Sequence, residues 1–145
     1  MKSVMFSWAF WAVLSAVFAA LTAIFAKIGV ANVNSDFATF IRIVVILVFA
    51  ALIVYATGSW QEPSSITGRT WLYLVLSGCA TGASWLCYFR ALKLGEAARV
   101  APIDKLSVVF VSVIAVAFLG EKLTLPNWLG VILIALGAVL VAYRA

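Results

Sequence analysis

Asp104 and Lys105 stand side by side in a stretch that is otherwise apolar from Val100 to Leu119, apart from two serines. Asp104 is the only acid well inside such a run, and Arg42 is a cation about two turns into another. A charged group at the centre of a membrane helix costs about 2.5–3.5 kcal/mol on insertion scales, so it asks for a partner, a wet cavity or a function. Asp104 fits two readings: a structural ion pair with Arg42, Lys27 or Lys105, or a part in moving a solute. Ser107 flanks it, and Ser112 follows Lys105 by seven residues, which on a continuous helix places both on one face.

A second cluster carries no charge. At helical spacing Gly78, Thr81, Gly82, Trp85, Tyr88 and Phe89 fall on one side of their segment. Small residues open space there and large aromatics supply flat walls, which suits a pocket for an organic solute. The same stripe also describes a packed helix interface. Arg90 points about 140° away from Trp85 and belongs to another face. Ser15 and Thr22, also seven apart, place two hydroxyls on one face of the first apolar segment. Lys27, Arg90 and Lys93 lie near the ends of their segments, where long cationic side chains reach out to headgroups.

Enzyme chemistry finds little support. The chain has no histidine, and one embedded carboxylate makes no acid–base or metal cluster. No cofactor is expected. Cys79 and Cys87 are the only cysteines. Eight residues of helix hold their Cα atoms about 12 Å apart, too far for a mutual disulfide. Buried apolar thiols are the expectation, and a metal site is not.

The surroundings that position these residues are set by composition. Of 145 residues, 66% are hydrophobic and 10% charged, against about half and a quarter in soluble domains. Mean hydropathy is +1.18. Lipid is the solvent that tolerates such a chain, and each crossing takes about 20 apolar residues. The pattern predicts an all-α, polytopic membrane protein, one domain over residues 1–145. Its five transmembrane helices are expected at about 4–29, 36–57, 70–94, 100–119 and 128–143. Ser35 or Asp36 is the expected N-cap of the second. Pro102 is expected in the first turn of the fourth, where its missing N–H has no helical partner anyway. The first segment has a lysine and an apolar run like a signal peptide, but the run continues to Ile28 and no polar sequence follows, so it reads as a membrane helix.

Five spans place the termini on opposite sides of the bilayer. Trp8, Trp11, Trp60, Trp71 and Trp128 gather near the N-terminal side as an interfacial belt, with Trp85 mid-helix as the exception. The net charge of +5 does not point to nucleic acid, because the basic residues sit at helix ends and form no run. Lys2, Arg69 and Lys122 fall on the N-terminal side; Lys27, Arg42, Arg90, Lys93, Arg99, Lys105 and Arg144 fall on the other. Taken whole, that bias puts the C-terminal side in the cytoplasm. Setting aside Lys27, Arg42, Arg90 and Lys105, which lie within apolar segments, leaves an even division and a chain able to insert both ways. Small residues at Ser15, Ala19 and Ala23, at Gly78 and Gly82, and at Gly130 and Gly137 read as packing surfaces, within the chain before between chains.

Three stretches carry a family resemblance: Trp85-Leu86-Cys87-Tyr88-Phe89-Arg90-Ala91-Leu92-Lys93-Leu94-Gly95, Val100-Ala101-Pro102-Ile103-Asp104-Lys105-Leu106, and Phe118-Leu119-Gly120-Glu121-Lys122-Leu123-Thr124. With Trp128-Leu129-Gly130 and Gly137, they resemble the EamA domain of the drug/metabolite transporter superfamily over essentially the whole chain. Most such transporters resemble two fused copies, ten helices in all. This chain is similar to the five-helix bacterial and archaeal subgroup, which implies a location in the cytoplasmic membrane. An odd-numbered unit inverts when duplicated, and transporters commonly place a midplane site between inverted repeats. The resemblance therefore implies an antiparallel homodimer exporting small metabolites by alternating access. It also implies a cavity lined by the first, third and fourth spans: Ser15, Thr22, Trp85, Tyr88, Pro102, Asp104 and Lys105. Around it Arg42, Lys27, Asp104 and Lys105 would form an intramembrane charge network, and the basic lining favours zwitterionic or anionic solutes such as amino acids. Glu121 matches a Gly-Glu turn with a helix-linking role. The alternatives are a proton-coupled multidrug exporter, for which the first span lacks the acid of the small four-helix exporters, and a non-transporting subunit that stabilises a partner.

Overall fold

The computed structural model describes residues 7–143. Its elements are α1 (Trp8–Gly29), α2 (Ser35–Ala56), a 3-10 turn (Pro63–Ser65), α3 (Gly68–Leu94), α4 (Ala97–Asp104), α5 (Ser107–Ile114) continued by a π-helical segment (Ala115–Leu119), and α6 (Leu125–Ala142). They make five apolar helical spans, of which Ala97–Leu119 is the fourth. Leu47, Phe49 and Leu133 are about two-thirds exposed. Helices clad in such residues would aggregate in water and are matched by acyl chains in a bilayer. The protein is a multi-pass integral membrane protein.

Two compact units divide the chain: Ala26–Lys93 is one, and the sequence before and after it is the other. In the first, α2 opens under a cap from Asn34, whose side-chain oxygen accepts from the N–H groups of Asp36 and Phe37 at 2.8 and 3.2 Å. The capping residue is thus neither Ser35 nor Asp36. Asn34 supplies the short acceptor that a helix start needs, which releases Asp36 for another partner. Leu92, Val30 and Thr39 are the fully buried side chains here. Thr39 hides its hydroxyl by donating to the Ser35 carbonyl at 2.8 Å.

In the second unit α4 and α5 both pack against α6. The fourth span begins at Ala97, earlier than expected, and is not one helix. Pro102 lies inside α4 rather than in its first turn. It brings no N–H to the ladder, so the Ala98 carbonyl loses its usual donor. After Pro102 the ladder tightens to i→i−3 bonds: Leu106 to Ile103, Val108 to Lys105 and Val109 to Leu106, each at 3.0 Å. The α pattern resumes at Phe110, bonded to Leu106 at 3.2 Å. The far end widens into the π-helical turn and closes at Gly120, φ +69°. There the Glu121 N–H reaches back to the Ala115 carbonyl at 3.2 Å. A residue with a Cβ is strained in that left-handed conformation, which accounts for glycine in the Gly-Glu turn.

Gly78, Gly82, Gly130 and Gly137 have no atom within 4 Å of where a Cβ would stand. A Cβ at any of these four positions would face open space among the described residues. Cys79 and Cys87 are free thiols as expected, but exposed rather than buried, because both lie on faces of α3 that the chain itself leaves open.

Candidate functional site

Within Ala26–Lys93, α2 and α3 are linked by long side chains. Arg90 grips Asp36 with two parallel bonds, Nε to Oδ1 at 3.0 Å and Nη2 to Oδ2 at 2.8 Å. This fork geometry is the strongest that an arginine and a carboxylate can make. Lys93 donates to the Val33 carbonyl at 2.6 Å. Lys27 donates to the Leu92 carbonyl at 2.7 Å, meeting the orphan acceptors at the end of α3. The three cations expected to reach for headgroups instead fasten this end of the unit. The sequence offered one clue to the Arg90 pair: Asp36 starts one span and Arg90 ends the next, so both belong to the same side of the bilayer.

Arg42 lies six residues beyond Asp36, about 9 Å further along α2. Its guanidinium carbon sits over the Trp85 ring, 4.4 Å from the centroid, and 5.4 Å from the centroid of Phe89. Phe89 is 3% exposed, while Arg42, Trp85 and Tyr88 are half-buried. A stacked guanidinium gains about 0.5–2 kcal/mol, more as water is removed. The aromatic side of α3 thus holds the cation of α2. Arg90 stands on another face, as its spacing from Trp85 requires. Thr81, on the same stripe, returns its hydroxyl to the Ser77 carbonyl at 2.9 Å.

In the other unit, Asp104 ends α4 and Lys105 begins the interruption. Lys105 Nζ lies 3.2 Å from Asp104 Oδ2, with the lysine side chain more than half exposed and the carboxylate about one-third. Its sequence neighbour, one of the partners considered for Asp104, bonds it. Ser112 donates to the Val108 carbonyl at 2.8 Å, and the break at 105–106 interrupts the seven-residue register that placed it beside Lys105. Pro102 is half-buried in α4; on α1 Thr22 is half-buried and Ser15 exposed. Among the described residues, no three of His, Cys, Asp and Glu come together as a metal site would require.

Five apolar spans, one interrupted beside an acid–base pair, and a cation held over rings inside the first unit are the features of this multi-pass membrane protein. Residues 6–143 match the model of the EamA-like transporter family, and the chain belongs to that family. It is 72% identical over 136 residues to an uncharacterized transporter in the cobO 3'region of Sinorhizobium sp., covering 94% of this chain and 96% of that protein. No solved structure matches. The family is one of transporters.

Proposed function

We propose that the protein is a secondary transporter of the bacterial cytoplasmic membrane that exports small zwitterionic or anionic metabolites. Two antiparallel copies work by alternating access. One observation carries the reading: the fourth span is broken at 105–106, beside the Asp104–Lys105 pair. Transporters commonly interrupt a span where it meets the solute, and rocking of one repeat against another exposes such a place to either side.

The dimer is supported by two further facts. The transporter from Sinorhizobium is matched over 96% of its length, so that relative has about the size of a single five-span unit. The uncovered glycines of α3 and α6 offer faces on which a second copy could approach closely. The basic bias of the chain, 10 Lys and Arg against 5 Asp and Glu, favours solutes that carry a carboxylate.

Counterflow tests the proposal. Proteoliposomes loaded with a pool of the proteinogenic amino acids and their 2-oxo acids are diluted into trace radiolabelled members of the same pool. At least one label should accumulate transiently above the level in protein-free vesicles. Labels that all stay at the protein-free level would refute the transport of amino-acid-like solutes.

A further inference from the structure

Every cation at the Asp36 end of the Ala26–Lys93 unit except Arg42 is bonded to an oxygen of the protein. Lys27 and Lys93 hold carbonyls, and Arg90 holds Asp36. The unit has two acids, Asp36 and Glu62. Asp36 is taken by Arg90. Glu62 lies beyond the far end of α2, where Ser64 bonds it at 3.4 Å. No carboxylate of the unit therefore bonds Arg42 among the described residues.

What Arg42 has is its guanidinium carbon over the Trp85 ring. The five N–H donors of a guanidinium lie in its plane and point outward from the edge. The rings also restrain it, so the charge is less free than a lysine tip to swing toward water. A half-buried guanidinium held over rings, with no carboxylate of its unit bonded to it among the described residues, is suited to a bidentate oxyanion. Two sources offer that chemistry, the carboxylate of a solute and the phosphate of a lipid headgroup. Arg42 stands about 9 Å deeper along α2 than Asp36, which marks the end of the span. That depth favours the solute.

We propose that Arg42, held over Trp85 and close to Phe89, binds the carboxylate of the transported solute, with Trp85 as the positioning residue that restrains the guanidinium. This inference rests on the transporter reading above and names the group that would confer its preference for carboxylates. It adds α2 to the spans that contact solute.

Trp85 is its own reporter. The full chain is purified in maltoside micelles, which contain no phosphate, with Trp8, Trp11, Trp60, Trp71 and Trp128 replaced by Phe. Benzoate, acetate and inorganic phosphate are titrated, with benzamide and acetamide as neutral isosteres. Benzoate or acetate should change the Trp85 emission saturably and the amides should not. Arg42→Gln should weaken the carboxylate response at least tenfold, and Arg42→Lys less. If the quintuple variant does not fold, the thermal midpoint of the unmodified chain, of Arg42→Gln and of Trp85→Phe under the same additions gives the same reading. Flat titrations with both carboxylates, equal responses to acid and amide, or a response kept by Arg42→Gln would each overturn the proposal. A response to phosphate alone would overturn it in favour of a lipid headgroup. Counterflow separates this failure from failure of the transport reading: flux unchanged by Arg42→Gln removes the anchor and keeps the transporter, whereas carboxylate binding without flux does the reverse.

Discussion

Arg90 closes a two-pronged bond on Asp36, with its shorter contact 2.8 Å long. Asp36 is available for this because Asn34 has taken over the capping of α2. The pair ties the start of one span to the end of the next, at the edge where headgroups begin.

That arrangement predicts a coupled effect. Arg90→Lys keeps the charge and loses the fork, so it should lower the thermal midpoint of the purified protein. The exchange of both residues, Asp36→Arg with Arg90→Asp, should recover part of the loss. Because the pair is half exposed, the effect should shrink at 1 M salt, where the screening length is about 3 Å. Midpoints that are additive and insensitive to salt would mean the pair is ornamental.

Gly120 should resist any residue with a Cβ. It ends the fourth span at φ +69° with open space around it. The cost of Gly120→Ala is therefore conformational, about 1–2 kcal/mol. Gly130→Ala, in ordinary helical conformation, should cost nothing or stabilise slightly through helix propensity. Steric-trap or denaturant unfolding in micelles separates the two. Equal costs would show that Gly120 is not needed for its backbone.

The glycine step of α3 distinguishes packing within the chain from packing between chains. A Cβ at Gly78 or Gly82 meets no atom within 4 Å among the described residues beyond its own helix, so Gly78→Leu and Gly82→Leu start into open space. Monomer stability should therefore be kept, while light scattering in micelles should show the dimer population falling several-fold. A loss of folding with no change in association would contradict the assignment of this face to a second copy.

The spans were legible in the sequence because twenty-residue apolar runs have one solution in lipid. Their interruptions were not. From Val100 to Leu119 the run is apolar apart from Asp104, Lys105 and two serines, and only the backbone bonds reveal i→i−3 steps after Pro102. Pro102 looked like a first-turn residue because Gly95, Glu96 and Arg99 read as a polar connection ending just before Val100. The aromatic face of α3 was readable from its spacing. Its cation was not, because Arg42 and Trp85 belong to different helices and periodicity describes one helix at a time. Asp36 was read as a cap for a similar reason: sequence shows what a carboxylate can do locally, and the Arg90 bond is remote.

Asp104 carries a separate prediction. Its carboxylate holds Lys105, and the proposed export mechanism assigns it no proton to carry. Asp104→Asn should leave the response of flux to an imposed proton gradient unchanged. Gradient-driven flux that vanishes in this variant would make Asp104 the proton carrier and favour a multidrug exporter.

The antiparallel pair is the central claim, and topology tests it most directly. Single cysteines are placed at Ser3 and at Ala145 in a chain lacking Cys79 and Cys87, and intact cells are labelled from outside before and after blocking with an impermeant thiol reagent. The account predicts that each site is labelled from both sides in comparable fractions, because the chain inserts in both orientations. Labelling of each site from one side only would contradict it.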